Sequence, residues 1–136
     1  EADTLCQLDH PGIPRFIDRF SAGEGKALRF YLVLEFIEGH TLEEELDRRR
    51  FDESDVAEIV EELAQILDYL HDRQPPVIHR DIKPSNVMRR ADDGRLVLID
   101  FGSVRAALEP EEGGSTVAGT FGYMPPEQFR GVATPA

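Results

Sequence analysis

Cysteine is almost missing from this chain. Cys6 is the only one, so no internal disulfide can form and a reducing compartment is the default. With no nearby histidine signature of a thiol catalyst, Cys6 is expected to pack as a small hydrophobe. Basic residues are also scarce: 15 Lys and Arg stand against 27 Asp and Glu, for a formal net charge of -12. That argues against a nucleic-acid surface, which needs clustered cations, and fits a cytoplasmic protein kept soluble by its charge. Only Lys26 and Lys83 are lysines, so any role needing a lysine has two candidates. No apolar run approaches the ~20 residues of a membrane helix. A leader-peptide pattern, internal repeats and a dividing linker are absent too. The chain lacks an initiator methionine, opens inside what reads as a helix from Glu1 to Leu8, and stops at Thr134-Pro135-Ala136. It reads as a piece of a longer protein.

What is present is an ordinary globular composition, with 40% hydrophobic and 31% charged residues in 136. His10-Pro11-Gly12 stops the opening helix. Arg15 to Phe20 and Leu28 to Phe36 are rich in branched and aromatic residues and flank the turn-like Ala22-Gly23-Glu24-Gly25-Lys26, which predicts a hairpin. Phe30 to Leu34 is almost continuously apolar and is expected to be a central, buried strand. Thr41-Leu42-Glu43-Glu44 is a capping box opening a short helix to about Arg49. Val56, Ile59, Val60, Leu63, Ile66, Leu67 and Leu70 follow the 3.6-residue period of a long helix, capped by Asp52 or Ser54 and stopped by Gln74-Pro75-Pro76. Val77-Ile78 and Val87-Met88 read as tiny strands, and Arg95 to Ile99 as a strand set up by Asp92-Asp93-Gly94. Ser103 to Thr116 reads as a long loop. This element order predicts an α+β fold.

Between these elements lies a chemical constellation. His79-Arg80-Asp81-Ile82-Lys83-Pro84-Ser85-Asn86 is followed, fourteen residues after Asn86, by Asp100-Phe101-Gly102 at the end of a strand. A hydroxyl attacking a phosphoryl group needs a carboxylate to orient it and take its proton, and Asp81 is the candidate. The charge of the transferred group must be neutralised. Magnesium prefers a few protein oxygens and several waters, which suits Asn86 and Asp100, and Lys83 adds a positive charge two residues past Asp81. Each residue alone has a plainer explanation: an ion pair for Asp81 and Lys83, a turn for Asp100-Phe101-Gly102, a packed core residue for His79. The combination at this spacing is what carries the signal.

At these residues the chain resembles the protein kinase family, and more narrowly its bacterial-type serine/threonine kinases. Gly119-Thr120-Phe121-Gly122-Tyr123-Met124-Pro125-Pro126-Glu127 is similar to the segment that closes the family's activation loop, with Pro125 where Ala is usual. Leu34-Glu35-Phe36-Ile37-Glu38-Gly39 is similar to the strand end leading into the hinge between lobes. The resemblance implies a bilobal fold truncated at both ends. Residues 1–36 would be a small-lobe remnant from the end of the family's C-helix, 37–40 the hinge, and 41–136 part of the helical large lobe with its catalytic and activation loops. It implies ATP and magnesium as cofactors, Leu34 as gatekeeper, backbone groups of Glu35 and Ile37 at the adenine edge, and Met88 beneath the ring. Glu1 would hold the place of the Glu that pairs with a lysine on strand three. Leu5, Phe16, His79 and Phe101 would stack as an internal spine. Lys83 and Thr120, whose hydroxyl would contact Asp81 and Lys83, point to serine/threonine specificity. Arg80 would pair with a phosphate on Thr116 or, second, Ser115, ordering the loop. Protein substrates follow, and the family's habit of phosphorylation in trans leaves room for a dimer.

The family's Gly-rich loop and strand-three lysine belong upstream of the C-helix and are not in the chain. Gly23-Glu24-Gly25-Lys26 does not replace them, because it joins two hairpin strands and no helix follows it. The 136 residues alone are therefore expected to be inactive and to expose apolar helix faces. Two rivals stand beside an active protein kinase. One is a pseudokinase scaffold. The other is a small-molecule phosphotransferase of kinase-like fold, which would not be expected to carry the segment from Gly119 to Glu127.

Overall fold

In the computed structural model, residues 6–101, 105–106 and 119–128 are described. The expectations placed on Glu1, Leu5, Ser115 and Thr116 lie outside them. The hairpin forms from β1 (Phe16–Ala22) and β2 (Arg29–Leu34), antiparallel, with Phe16 opposite Leu34 and an irregularity in register between Phe16 and Asp18. Its turn contains one turn of 3-10 helix, Gly25–Ala27. Gly23 adopts φ +92, where an added Cβ would meet the Ala27 carbonyl oxygen at 2.3 Å, so the turn depends on glycine there.

The burial expected of β2 is not found. Among the described residues β2 pairs only with β1, and Phe30, at 81% exposure, is nearly bare, with Tyr31 and Leu32 also exposed. A run of apolar residues records what a strand could bury, not whether another layer covers it. Cys6 likewise is exposed, where a buried place was expected.

After β2 come β3 (Gly39–Thr41) and two helices, α1 (Leu42–Arg48) and α2 (Glu53–His71). Both helices begin with complete capping boxes. Glu44 N–H donates to Thr41 Oγ1 at 3.1 Å while the Glu44 carboxylate accepts from Thr41 N–H at 2.9 Å. Asp52 and Asp55 exchange the same pair of bonds at 2.9 and 3.0 Å, so Asp52 caps α2 and Ser54 does not. The apolar stripe of α2 divides. Ile59, Ile66 and Leu70 are buried, with Leu63 and Leu67 packed against them, whereas Val56 and Val60 are exposed. These two fit the period but lie where no neighbouring described element reaches.

Beyond α2 the chain makes β4 (Val77–Ile78), β5 (Val87–Arg90), β6 (Leu96–Leu98) and β7 (Arg105–Ala106). Strand β7 interrupts the span expected to be loop, pairing antiparallel with β4. β5 is the middle strand of a three-stranded antiparallel sheet, flanked by β3 and β6. The core gathers Leu8, Ile13, Leu42, Leu70, Val77, Val87, Leu96, Leu98 and Phe101 with the buried face of α2. Glu62 on α2 accepts a hydrogen bond from Leu96 N–H at 2.9 Å, and Leu98 N–H donates to the Gly12 carbonyl at 2.9 Å, so β6 is fixed from both sides. This rigid set places two short loops, after β4 and after β6, side by side.

Candidate active site

The loop from His79 to Asn86 runs between β4 and β5, and its end is a 3-10 turn over Pro84–Asn86. His79 is 1% exposed, and its ring meets that of Phe101 edge-on at 5.0 Å, the contact expected of two members of the internal spine. The Nε2 of His79 lies 3.1 Å from the carbonyl oxygen of Ile99, which can only accept. Asp81 N–H points at Nδ1 from 3.4 Å, which must therefore be bare. These two partners fix the neutral Nε2–H tautomer. Burial agrees with this: it holds the pKa of His79 below its ordinary value, against the Ile99 carbonyl and the nearby Asp100 and Asp81 charges.

The Asp81 carboxylate is treated asymmetrically. Its Oδ2 accepts from Lys83 Nζ at 2.9 Å and from Asn86 Nδ2 at 3.1 Å. Its Oδ1 is buried and has no hydrogen-bond partner among the described residues. Burial disfavours the charged form, but the Lys83 and Asn86 donors on Oδ2, the neighbouring Thr120 hydroxyl and the charge of Lys83 outweigh it, so the carboxyl sits below its ordinary pKa. Asp81 is thus an ionised carboxylate with one oxygen committed and one left over.

Lys83 is shared. Its Nζ also donates to Thr120 Oγ1 at 2.6 Å, across 37 residues of sequence. Asn86 is buried and spends its amide nitrogen entirely on Asp81, on the side chain and on the main-chain oxygen at 2.8 Å. That leaves the side-chain carbonyl oxygen of Asn86 for a ligand. Asn86 is held in turn by Ile99 N–H, which donates to the Asn86 main-chain oxygen at 2.8 Å. Asp100, the residue after Ile99, is exposed and has φ +62, a conformation rare outside glycine. A hard cation taking oxygen ligands and waters fits an amide oxygen and a carboxylate presented by adjoining strands. Among the described residues no three His, Cys, Asp or Glu side chains gather into a metal cluster, so such an ion would rest on these two and on its own phosphate ligand.

The stretch from Glu35 to Glu38 is anchored to the same sheet. Glu35 Oε1 accepts from Arg90 Nη1 at 3.0 Å, and Oε2 accepts from Arg15 N–H at 3.2 Å. These bonds, that of Arg90 first, lower the pKa of Glu35. Ala91 N–H donates to the Glu38 carbonyl at 2.8 Å. Leu34 and Met88 are half-buried, Ile37 is buried, and Phe36 between them projects outward at 88% exposure.

The geometry thus brings together Asp81, Lys83, Asn86 and Thr120. Arg80 adopts φ +71, and its Nε is buried without a partner among the described residues. Two features escaped the sequence reading: the Glu35–Arg90 ion pair, and Gln128, 5% exposed, whose Nε2 donates to the Arg80 carbonyl at 2.7 Å. Opposite charges at a strand end could have suggested the first. No local signal announces the second.

The family model described as Protein kinase domain matches residues 1–134, and the chain belongs to the protein kinase family. Serine/threonine-protein kinase B of Synechocystis sp. is 41% identical over 140 residues, covering 95% of this chain and 23% of that protein. Serine/threonine-protein kinase PknA of Nostoc sp. is 43% identical over 110 residues, covering 76% of this chain and 19% of the relative. Aurora kinase B of Xenopus tropicalis is 41% identical over 133 residues, with 96% and 34% covered. The bacterial serine/threonine kinases anticipated from the sequence are among these relatives, and the likeness extends to an animal one. The chain spans about a fifth to a third of the length of these relatives. As a class, protein kinase domains use ATP and magnesium. No described helix is long and apolar enough to cross a membrane.

Proposed function

We propose that the whole protein transfers the γ-phosphoryl group of ATP to serine or threonine hydroxyls of other proteins, in the cytoplasm. The observation that carries this reading is the divided carboxylate of Asp81: Oδ2 is held by Lys83 and Asn86, and Oδ1 is buried and unpartnered among the described residues. An acceptor oxygen fixed in place but left unpaired suits an incoming hydroxyl. Asp81 orients that hydroxyl and receives its proton, late in a loose transition state. Lys83 stabilises the ionised carboxylate and offsets charge on the transferred group. Its bond to Thr120 places the segment that would carry the substrate.

The oxygens of Asn86 and Asp100 would hold magnesium, which when bound neutralises phosphate charge. Backbone groups of Glu35 and Ile37, with Leu34 and Met88, form the adenine side. The division into small-lobe remnant, hinge and large-lobe part follows, with residues 37–40 as the joint. Regulation rests on Arg80, whose Nε, buried and without a partner among the described residues, suits a phosphate on Thr116 or Ser115, added in trans within a dimer. The relatives' printed names as serine/threonine kinases support the choice of hydroxyl.

The test replaces Asp81 by Asn in the whole protein. Transfer to a generic basic protein should fall by about two to four orders of magnitude with ATP binding retained. Undiminished turnover refutes the assignment, and transfer to small alcohols in preference to protein refutes the substrate class.

A further inference from the structure

We propose that Gln128 is a positioning residue for Asp81, acting through the peptide bond that joins Arg80 to Asp81; this rests on the assignment of Asp81 to phosphoryl transfer. That peptide is gripped at both ends. Its N–H points at His79 Nδ1 from 3.4 Å, and its carbonyl oxygen accepts from Gln128 Nε2 at 2.7 Å. The grip has something to resist. Arg80 adopts φ +71, and such a conformation in a residue with a Cβ persists only where the surroundings over-determine it. The His79 contact is long, so the shorter bond from Gln128 is the stronger restraint.

Gln128 is suited to the task. It is 5% exposed, and loss of this bond would take an acceptor from a buried amide and a short, well-placed donor from the Arg80 carbonyl. Gly119, at φ +128, packs directly on this bond: an added Cβ would lie 2.6 Å from Gln128 Nε2 and 2.8 Å from the Arg80 oxygen. The segment therefore reaches the catalytic loop twice. Thr120, beside Gly119, meets the Lys83 side chain, and Gln128 meets the main chain just before Asp81. Correct seating of residues 119–128 and correct aim of Asp81 become one event. Gln128 is the donor that makes them so.

The experiment uses the whole protein with Gln128→Met, which keeps the length and removes the donor, and Gln128→Glu, which keeps the shape and turns an oxygen toward the carbonyl. Amide hydrogen exchange is followed in a peptide covering residues 79–83, with peptides from α2 as the measure of folding. Steady-state transfer is followed in parallel. Exchange over 79–83 should rise about tenfold in Gln128→Met, and further in Gln128→Glu, with α2 unchanged; kcat should fall by about tenfold or more at constant KM for ATP. Unchanged exchange over 79–83 overturns the proposal whether or not the protein transfers phosphate. Raised exchange with unaltered kcat also overturns it, because Gln128 would then be structural only. Absence of transfer in the unaltered protein counts against the kinase reading alone, and the exchange result still decides whether Gln128 grips the peptide.

Discussion

Lys83 joins two chain segments, and that makes it a sharp test of the site. Replacing it by Met keeps most of the aliphatic stem and removes the ammonium. The Asp81 side chain, at 11% exposure, then keeps only Asn86 on Oδ2, and Thr120 loses its donor. A hydrogen bond to a charged group is worth ~1.5–3 kcal/mol. If that interaction is needed in the transition state, kcat/KM should fall by about 10- to 150-fold. Replacing Thr120 by Val removes a single acceptor and should cost less. The informative quantity is the double variant. Because one nitrogen serves both partners, the Thr120 substitution should matter much less once Lys83 is gone, with a coupling of ~0.5–3 kcal/mol. Initial rates on a generic basic protein at saturating ATP, for both single variants and the pair, give this number. Effects that simply add, within ~0.3–0.5 kcal/mol, would refute the bridging arrangement and with it the idea that Lys83 positions both sides of the site.

Gly119→Ala should destabilise by ~1–3 kcal/mol and reduce transfer, since the φ is strained for alanine and the Arg80 main-chain oxygen cannot easily move away; an unchanged melting temperature would contradict this. His79 has a depressed pKa in the folded protein, so the native state binds fewer protons than the unfolded one. Its contribution to stability is complete above the ordinary value of 6.5 and is lost as the pH falls toward the folded value. Asp81, Asp100, Lys83 and the Ile99 carbonyl act on this ring, so the comparison is with His79→Phe, whose urea midpoint should fall less between pH 7.5 and 5.5; parallel curves would refute the buried neutral imidazole. Asp52→Ala removes the α2 cap and should cost ~1 kcal/mol in denaturant unfolding without changing KM for ATP.

The parts of the fold that were legible are those in which the chain interacts with itself nearby. Thr41 with Glu44 and the periodic run from Ile59 to Leu70 declare helices because caps and 3.6-residue spacing are local. Burial is not local. Phe30 and Val60 are as apolar as Leu70, yet among the described residues only Leu70 meets a covering element. In the candidate site, the spacing of Asp81, Lys83, Asn86 and Asp100 pointed to the chemistry proposed. The meeting of Lys83 with Thr120 was available only through family resemblance, and the reach of Gln128 to Arg80 not at all. A lone glutamine after Glu127 looks like any surface residue until the fold closes around it.

Glu35 has a mechanical meaning. Its two carboxylate oxygens tie the base of the hairpin, at Arg15, to strand β5, at Arg90, and its own backbone N–H donates to the Arg15 carbonyl at 2.8 Å. With Glu38 bound to Ala91 and Gly39 paired with Arg90, the stretch from Glu35 to Gly39 is fastened at intervals along its length. If the hairpin moves against the helices, the flexing must fall outside this fastened stretch, and the backbone proposed to face the adenine edge would keep its spacing and tilt. On the proposed function it would work as a fixed ruler beside a moving jaw, with base recognition mechanically separate from lobe motion.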